Sequence, residues 1–306
     1  MTFDMSRRTH GSGGGIMLVA GPCAIESERQ TLDTVGELAK LPVDLVRGGI
    51  WKPRTRPGCF EGAGEPGLKW LAEARRRTGL PFAVEVALPA HVEAALRHGA
   101  DALWVGARTT VNPFAVQALA DALRGSGVPV MVKNPICPEL GLWLGALERF
   151  ERAGTGPLAA IHRGFSLLDN GGYRYHPAWD IPLAFMERTD IPLFCDPSHI
   201  SGRAELVLSV AREALGLGFS GLMIESHVRP EAALSDARQQ LTPAALGNLL
   251  AACGLLPPMA SSMASMASMA SPIASPIQPS EPVAAHHKGG ASAGTPAAGY
   301  GMAGAK

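Results

Sequence analysis

Four residues, Cys23, His199, Glu225 and Asp236, offer one thiol, one imidazole and two carboxylates. Such a mixed donor set suits a divalent ion, and Mn, Fe, Co and Zn all tolerate it. The four lie far apart in the chain, so only a fold could bring them together. A second set is cationic: Arg47, Lys52, Arg54, Arg108, Lys133 and Arg163. Six such groups at one place would repel one another unless anions lay between them. Multi-anionic ligands would supply that compensation, with each Arg presenting a planar fork to two oxygens and each Lys a point charge. Glu85, His162 and His227 stand at comparable places. The two histidines read equally well as ligand contacts or as backbone hydrogen-bonding groups.

What could gather these residues is visible in the alternation of the chain. Short apolar runs at 16–20, 43–47, 82–86, 102–105, 128–132, 158–161, 192–195 and 221–224 fit eight strands. Their near-continuous apolarity suits parallel strands covered on both faces. Charged, periodic stretches at 65–78, 91–98, 113–124, 142–153 and 204–215 fit helices between them, and Gly79, Gly99, Gly125, Gly154 and Gly218 sit where left-handed helix caps are expected. The pattern predicts a single-domain α/β fold, a (β/α)8 TIM barrel, over a doubly wound open sheet. Each strand is followed by at least one ionisable or metal-binding residue, and the carboxyl ends of the strands are where such barrels carry their sites.

The 306 residues are 46% hydrophobic, with 27 Lys plus Arg against 27 Asp plus Glu. The formal net charge of zero gives no uniform field for nucleic acid or an anionic membrane. Five scattered cysteines point to a reducing compartment, and no apolar run approaches the roughly 20 residues of a membrane span, so a cytoplasmic location is expected. Residues 1–15 read as a flexible leader and 16–253 as the barrel. Residues 254–306, which include the repeat MASSMASMASMAS, read as a low-complexity disordered tail that cannot bury enough apolar surface to offset its ordering entropy. Gly11 to Gly15 is no phosphate loop, since it has no lysine and precedes the first strand. The five tryptophans read as packing.

Several strings, in this order, resemble the type I 3-deoxy-D-arabino-heptulosonate 7-phosphate (DAHP) synthases, and the subgroup called β most of all. They are AGPCAIES at 20–27, RGGIWKPRT at 47–55, GAR at 106–108, HRGF at 162–165, CDPSHISGR at 195–203, GLMIESH at 221–227 and ALSDARQQL at 233–241. The resemblance implies a metal-dependent condensation of phosphoenolpyruvate with erythrose 4-phosphate, the first step of the shikimate pathway. It implies Cys23, His199, Glu225 and Asp236 as metal ligands. It implies that Arg47, Lys52, Arg108, Lys133 and Arg163 hold phosphoenolpyruvate, that Arg54 and Thr55 bind erythrose 4-phosphate, and that Glu85 lines the pocket. Lys52, Glu85 and His199 are the expected catalytic residues, with Lys52 or a metal-bound water as proton donor.

A sister family, the 3-deoxy-octulosonate 8-phosphate synthases, is similar but carries a KANR-type segment where this sequence has Lys52-Pro53-Arg54-Thr55, which favours the four-carbon aldose. A catalytically silent barrel binding phosphorylated metabolites is a further alternative. Two departures from the family pattern stand out: Arg56 where many relatives have serine, and Lys133-Asn134-Pro135 where many have Lys-Arg-Gly. A homo-oligomer is expected. The sequence carries no helical periodicity of an attached mutase, which leaves room for a separate chorismate mutase as partner.

Overall fold

The computed structural model describes residues 15–52, 54 and 56–256. Thr55, the expected leader through residue 14 and the expected tail from 257 onward lie outside the described residues. Eight parallel strands close on themselves: β1 (Met17–Gly21), β2 (Leu45–Gly48), β3 (Phe82–Val86), β4 (Ala102–Val105), β5 (Val130–Lys133), β6 (Leu158–His162), β7 (Leu193–Cys195) and β8 (Gly221–Glu225). All eight apolar runs become strands. β2 and β5 begin two residues later than the runs: Val43 N donates to Leu41 O within the preceding turn, Asp44 N donates to Leu18 O of β1, and Val128 O accepts from Gly156 N. The β1–β8 joint has five register pairs, from Met17↔Gly221 to Gly21↔Glu225.

Ten α-helices surround the described barrel: α1 (Glu28–Leu38), α2 (Glu65–Thr78), α3 (Pro89–Arg97), α4 (Ala107–Thr110), α5 (Pro113–Ala122), α6 (Leu140–Ala153), α7 (Asp180–Met186), α8 (Pro197–Ser201), α9 (Ala204–Gly216) and α10 (Pro243–Ala252). Side chains of Ser27, Asn112, Asp196 and Thr242 cap α1, α5, α8 and α10 by accepting first-turn N–H groups. All five glycines expected at helix ends have positive φ. Four of the five helices outside the expected ranges have local causes. α4 and α8 are single turns, α7 contains Pro182, and α10 is too uniformly apolar for a stripe to stand out.

Because strand side chains alternate, the barrel has two apolar layers. Leu18, Val46, Val84, Leu103, Val132 and Leu222 point outward and pack with the helices. Val19, Leu45, Ala83, Trp104, Met131, Ile161, Phe194 and Met223 form a separate cluster, the interior of the barrel. Two residues beyond each of these eight, on the same parity, stand Gly21, Arg47, Glu85, Gly106, Lys133, Arg163, Asp196 and Glu225. The core therefore ends upward in a ring of ionisable groups separated by two glycines.

The outer layer is anchored by Trp143 of α6, which is fully buried, stacks on Phe185 at 4.5 Å and donates from Nε1 to Val132 O at 3.1 Å. Trp143→Ala would open a cavity and orphan that carbonyl, and is expected to cost about 3–5 kcal/mol of stability. Urea unfolding measures this, and a loss below about 1 kcal/mol would contradict the packing described.

Candidate active site

The upper ring is assembled at close quarters. Gly106 follows β4 because a Cβ there would overlap the Glu85 carboxylate, and one at Gly21 would overlap the carbonyl of Arg47. The absent side chains let the rim of β1 and β4 approach their neighbours.

Cys23, Glu225 and Asp236 each present a ligand atom within 4.8 Å of the other two. The Nε2 atom of His199 lies 3.8 Å from Glu225 Oε1 and 3.9 Å from Asp236 Oδ2. His199 belongs to the short α8, whose cap Asp196 does two jobs. Its Oδ1 accepts from His199 N at 3.0 Å, and its Oδ2 lies 2.8 Å from His199 Nδ1. Asp196 Oδ2 beside Nδ1 orients the ring so that Nε2 faces the carboxylates.

The electrostatics of this cluster favour a cation. Burial, then Glu225 and Asp236, push the Cys23 thiol up to about 12, against the opposing pull of Lys52 and Arg47. Burial also lowers His199 below the usual imidazole value, against the opposing pull of Asp196 and Glu225. Burial works against ionised Glu225 and Asp236, yet both are held below the usual carboxylate range, Glu225 by His199 and Arg47, and Asp236 by His199, Arg174 and Lys52. A thiol held protonated by burial and neighbouring carboxylates, beside an imidazole, fits a divalent ion, whose charge reverses that penalty.

Beside the cluster opens a cavity of about 340 Å³. Seven basic side chains line it, Lys52, Arg54, Arg56, Arg108, Lys133, Arg163 and Arg174, together with Glu85, Tyr175, His199 and Asp236. Lys133 is buried and donates to Asp196 Oδ2 at 2.8 Å. Lys52 Nζ donates to Cys23 O at 2.9 Å and Cys23 Sγ at 3.0 Å. Burial would lower the Lys52 ammonium, but Cys23, Glu85 and Glu225 outweigh it and raise it above its ordinary value. Arg163 is buried, with its guanidinium 3.4 Å from the centre of the Tyr175 ring. Arg47 is 1% exposed and stands behind the lining, 3.2 Å from Glu225 Oε1 and 5.2 Å from the centre of the Trp104 ring.

Residues 3–254 match the family model described as the DAHP synthetase I family. The chain belongs to that family. Over 228 residues it is 32% identical to phospho-2-dehydro-3-deoxyheptonate aldolase of Thermotoga maritima, an alignment covering 74% of this chain and 66% of that protein. Just under two thirds of that relative's length is thus spanned. It is also 30% identical over 244 residues to 2-dehydro-3-deoxyphosphooctonate aldolase of Methylobacillus flagellatus, covering 72% of this chain and 83% of that one. A crystal structure of the Thermotoga maritima DAHP synthase superposes with a TM-score of 0.72 at 27% identity, covering 79% of this chain and 69% of that chain. A truncated form of a Thermotoga maritima enzyme gives 0.70 at 25% identity, covering 83% of this chain and 90% of that chain.

In this member of the family, the described expected residues fall in two places. Lys52, Arg54, Glu85, Arg108, Lys133, Arg163, His199 and Asp236 line the cavity, while Cys23, Arg47 and Glu225 lie buried beside it. Thr55 is not described. The departure at Asn134 has a local explanation: its Oδ1 accepts from Arg163 N at 2.7 Å and its Nδ2 donates to Gly164 O at 3.0 Å, so it fixes the turn that carries Arg163. Sequence reasoning did not single out Asp196, Arg174, Tyr175 or Gln239. Asp196 could have been found as the residue after β7, on the inward parity. Arg174 and Tyr175 lie in a long glycine-containing loop after β6, with no strand end to flag them.

The two undecided histidines lie outside the cavity lining. His227 accepts from Arg229 N at its Nδ1, 2.9 Å away, and its Nε2 is 3.8 Å from Glu26. His162 points outward from β6 among Phe165, Trp179 and Phe219. Burial there, with Arg163 adding to it, pushes its pKa down to about 3. The unfolded chain, with an ordinary value of about 6.5, thus binds a proton between these limits that the folded chain refuses. The stability is present above about pH 6.5 and falls with acidification by up to about 1.4 kcal/mol per pH unit until His162 itself protonates. Comparing unfolding of the natural protein and His162→Phe from pH 7.5 to 5 should reveal a shallower slope in the variant; parallel slopes would contradict the burial of a neutral imidazole.

Proposed function

We propose that the chain is a 3-deoxy-7-phosphoheptulonate synthase, which joins phosphoenolpyruvate, erythrose 4-phosphate and water into DAHP and inorganic phosphate. The observation that carries this reading is the set of seven basic side chains around one cavity, with a thiol, an imidazole and two carboxylates at its edge. The substrates together bring two phosphates and one carboxylate, a charge that such a lining can balance.

In this reading Arg47, Lys52, Arg108, Lys133 and Arg163 hold phosphoenolpyruvate. Arg163 and Lys133 are fixed beforehand by Asn134, Tyr175 and Asp196, so little ordering remains on binding. Arg54 and Thr55 take the aldose phosphate, and Arg56 adds a cation beside them. C3 of phosphoenolpyruvate attacks the aldehyde carbon, water adds at C2, and phosphate leaves by cleavage of the C2–O bond. Cys23, His199, Glu225 and Asp236 would hold a divalent ion, with Mn, Fe, Co and Zn all compatible. When bound, that ion supplies Lewis acidity to the aldehyde oxygen. Lys52, whose ammonium is raised by its neighbours, hands a proton from Nζ to the new alkoxide. Glu85 lines the same cavity and orients the attacking water.

Relatives at 29–31% identity are 2-dehydro-3-deoxyphosphooctonate aldolases, so arabinose 5-phosphate is the competing aldose. The Lys52-Pro53-Arg54-Thr55 string supports the four-carbon substrate. A homo-oligomer, a separate chorismate mutase as partner and a cytoplasmic location complete the proposal. No helix of the described residues is long and apolar enough to cross a membrane.

Phosphate release with each aldose phosphate decides the substrate. Erythrose 4-phosphate should be preferred by at least about tenfold in kcat/KM, and preference for the pentose would reverse the assignment. Stripping with a chelator should abolish turnover and an added divalent ion should restore it. Cys23→Ser and His199→Ala should each lower metal-supported turnover by at least about 100-fold with the far-ultraviolet circular dichroism unchanged; full activity in both would remove the metal site from the mechanism.

A further inference from the structure

The two carboxylates beside Cys23 do not use all their oxygens alike. Glu225 turns Oε1 toward Arg47 at 3.2 Å and His199 Nε2 at 3.8 Å, while its Oε2 accepts from Gln239 Nε2 at 2.6 Å. Asp236 turns Oδ2 toward Cys23 Sγ at 3.3 Å and His199 Nε2 at 3.9 Å, while its Oδ1 lies 3.0 Å from Arg174 Nη1. The same Arg174 Nη1 donates to Gln239 Oε1 at 2.6 Å. A link therefore runs from Asp236 through Arg174 and Gln239 to Glu225, behind the donor cluster. It occupies one oxygen of each carboxylate and leaves the other facing Cys23 and His199.

The orientation of the amide follows from its partners. Arginine cannot accept a hydrogen bond, so the atom of Gln239 that meets Arg174 is the oxygen. The NH2 group then has to face Glu225. Gln239 is 1% exposed and does not line the substrate cavity, so substrate does not compete for it; with Arg174 and Asp236 it lines a separate cleft of about 520 Å³. Its place is set by the backbone. Asp236 adopts a left-handed conformation, φ 50°, and opens a one-turn 3-10 helix, Ala237–Gln239, closed by a bond from Gln239 N to Asp236 O at 3.2 Å. One turn thus carries a donor residue and the amide that steadies a second donor on β8.

We propose that Gln239 is a positioning residue of the ion site: it fixes which oxygen of Glu225 faces the site and, with Arg174, sets the separation of the two carboxylates. This rests on the reading that Cys23, His199, Glu225 and Asp236 hold a divalent ion. Without the amide, Glu225 loses the donor to Oε2 in a buried place and is free to rotate toward Arg47 or Arg174. Residues that orient metal ligands in this way typically change affinity by about 10–100-fold when removed.

The test uses the full chain, stripped with a chelator and titrated with Co(II), following the thiolate-to-cobalt absorption and the visible d–d bands. Gln239→Met keeps the volume and removes both hydrogen bonds. The dissociation constant for Co(II) should rise about 10–100-fold with altered d–d bands, while KM for phosphoenolpyruvate at saturating metal stays within about twofold. Unaltered affinity and spectrum in a folded Gln239→Met protein overturn the positioning role and leave the ion site standing. A natural protein that develops no thiolate-to-cobalt absorption overturns the ion site and the inference with it. Should Gln239→Met fail to fold, Arg174→Met breaks the same link from its other end. Weakened Co(II) binding in that variant supports the role, and undiminished binding overturns it.

Discussion

A charge removed from water must meet an opposite charge, and the top of this barrel is organised by that requirement. Arg47 and Glu225 are 1% and 0% exposed on their side chains and sit 3.2 Å apart. Lys133 and His199 both turn to the buried Asp196, each at 2.8 Å. Removing one member of such a pair leaves the other stranded in a low-dielectric site, which is far costlier than never having had the pair. The pairs gain little net stability over apolar residues of similar size. What they supply is fixed orientation: a lysine, an imidazole and a carboxylate that cannot turn away from the cavity.

The same requirement separates the cations into two kinds. Arg47 and Lys133 are compensated by protein carboxylates, and Arg174 by Asp236. Arg163 has an aromatic face and the backbone support of Asn134, and burial lowers its pKa from the ordinary arginine value. The lining is thus richer in positive charge than in negative, and bound phosphates would complete it. Fixed cations around a pocket with excess positive charge would also draw anionic ligands in and hold them in register with the donor cluster.

Much of this arrangement could be read from the sequence because strand parity is a strict code. An apolar residue at position i facing the interior puts position i+2 on the same side, so Val19, Leu45, Ala83, Met131, Ile161, Phe194 and Met223 point to Gly21, Arg47, Glu85, Lys133, Arg163, Asp196 and Glu225. His162 shows where counting residues after a strand is too coarse. It lies next to Arg163 in sequence but on the opposite parity, and it ends among aromatic rings. Arg174 and Tyr175 were hidden for a different reason. They arrive on a long loop whose path is decided by tertiary bonds, among them Arg174 N and Tyr175 N to Ile200 O, and no local periodicity encodes such a path. Gln239 lies inside a recognised string, three residues after Asp236, and no local pattern sets it apart from the other polar residues there.

The joint between first and last strands has a meaning beyond closing the sheet. Cys23 follows β1, Glu225 ends β8 and Asp236 comes just after it, so the donor atoms straddle the five-pair seam from Met17↔Gly221 to Gly21↔Glu225. No half of the barrel carries the set, and a barrel unzipped at this edge has no centre to occupy. An ion bound across the seam would therefore act as a clasp on the ring, favouring the sealed state by mass action over any state in which the two ends of the sheet have parted. An occupied site and the circular topology would stabilise each other, although more than 200 residues of chain separate the partners they join.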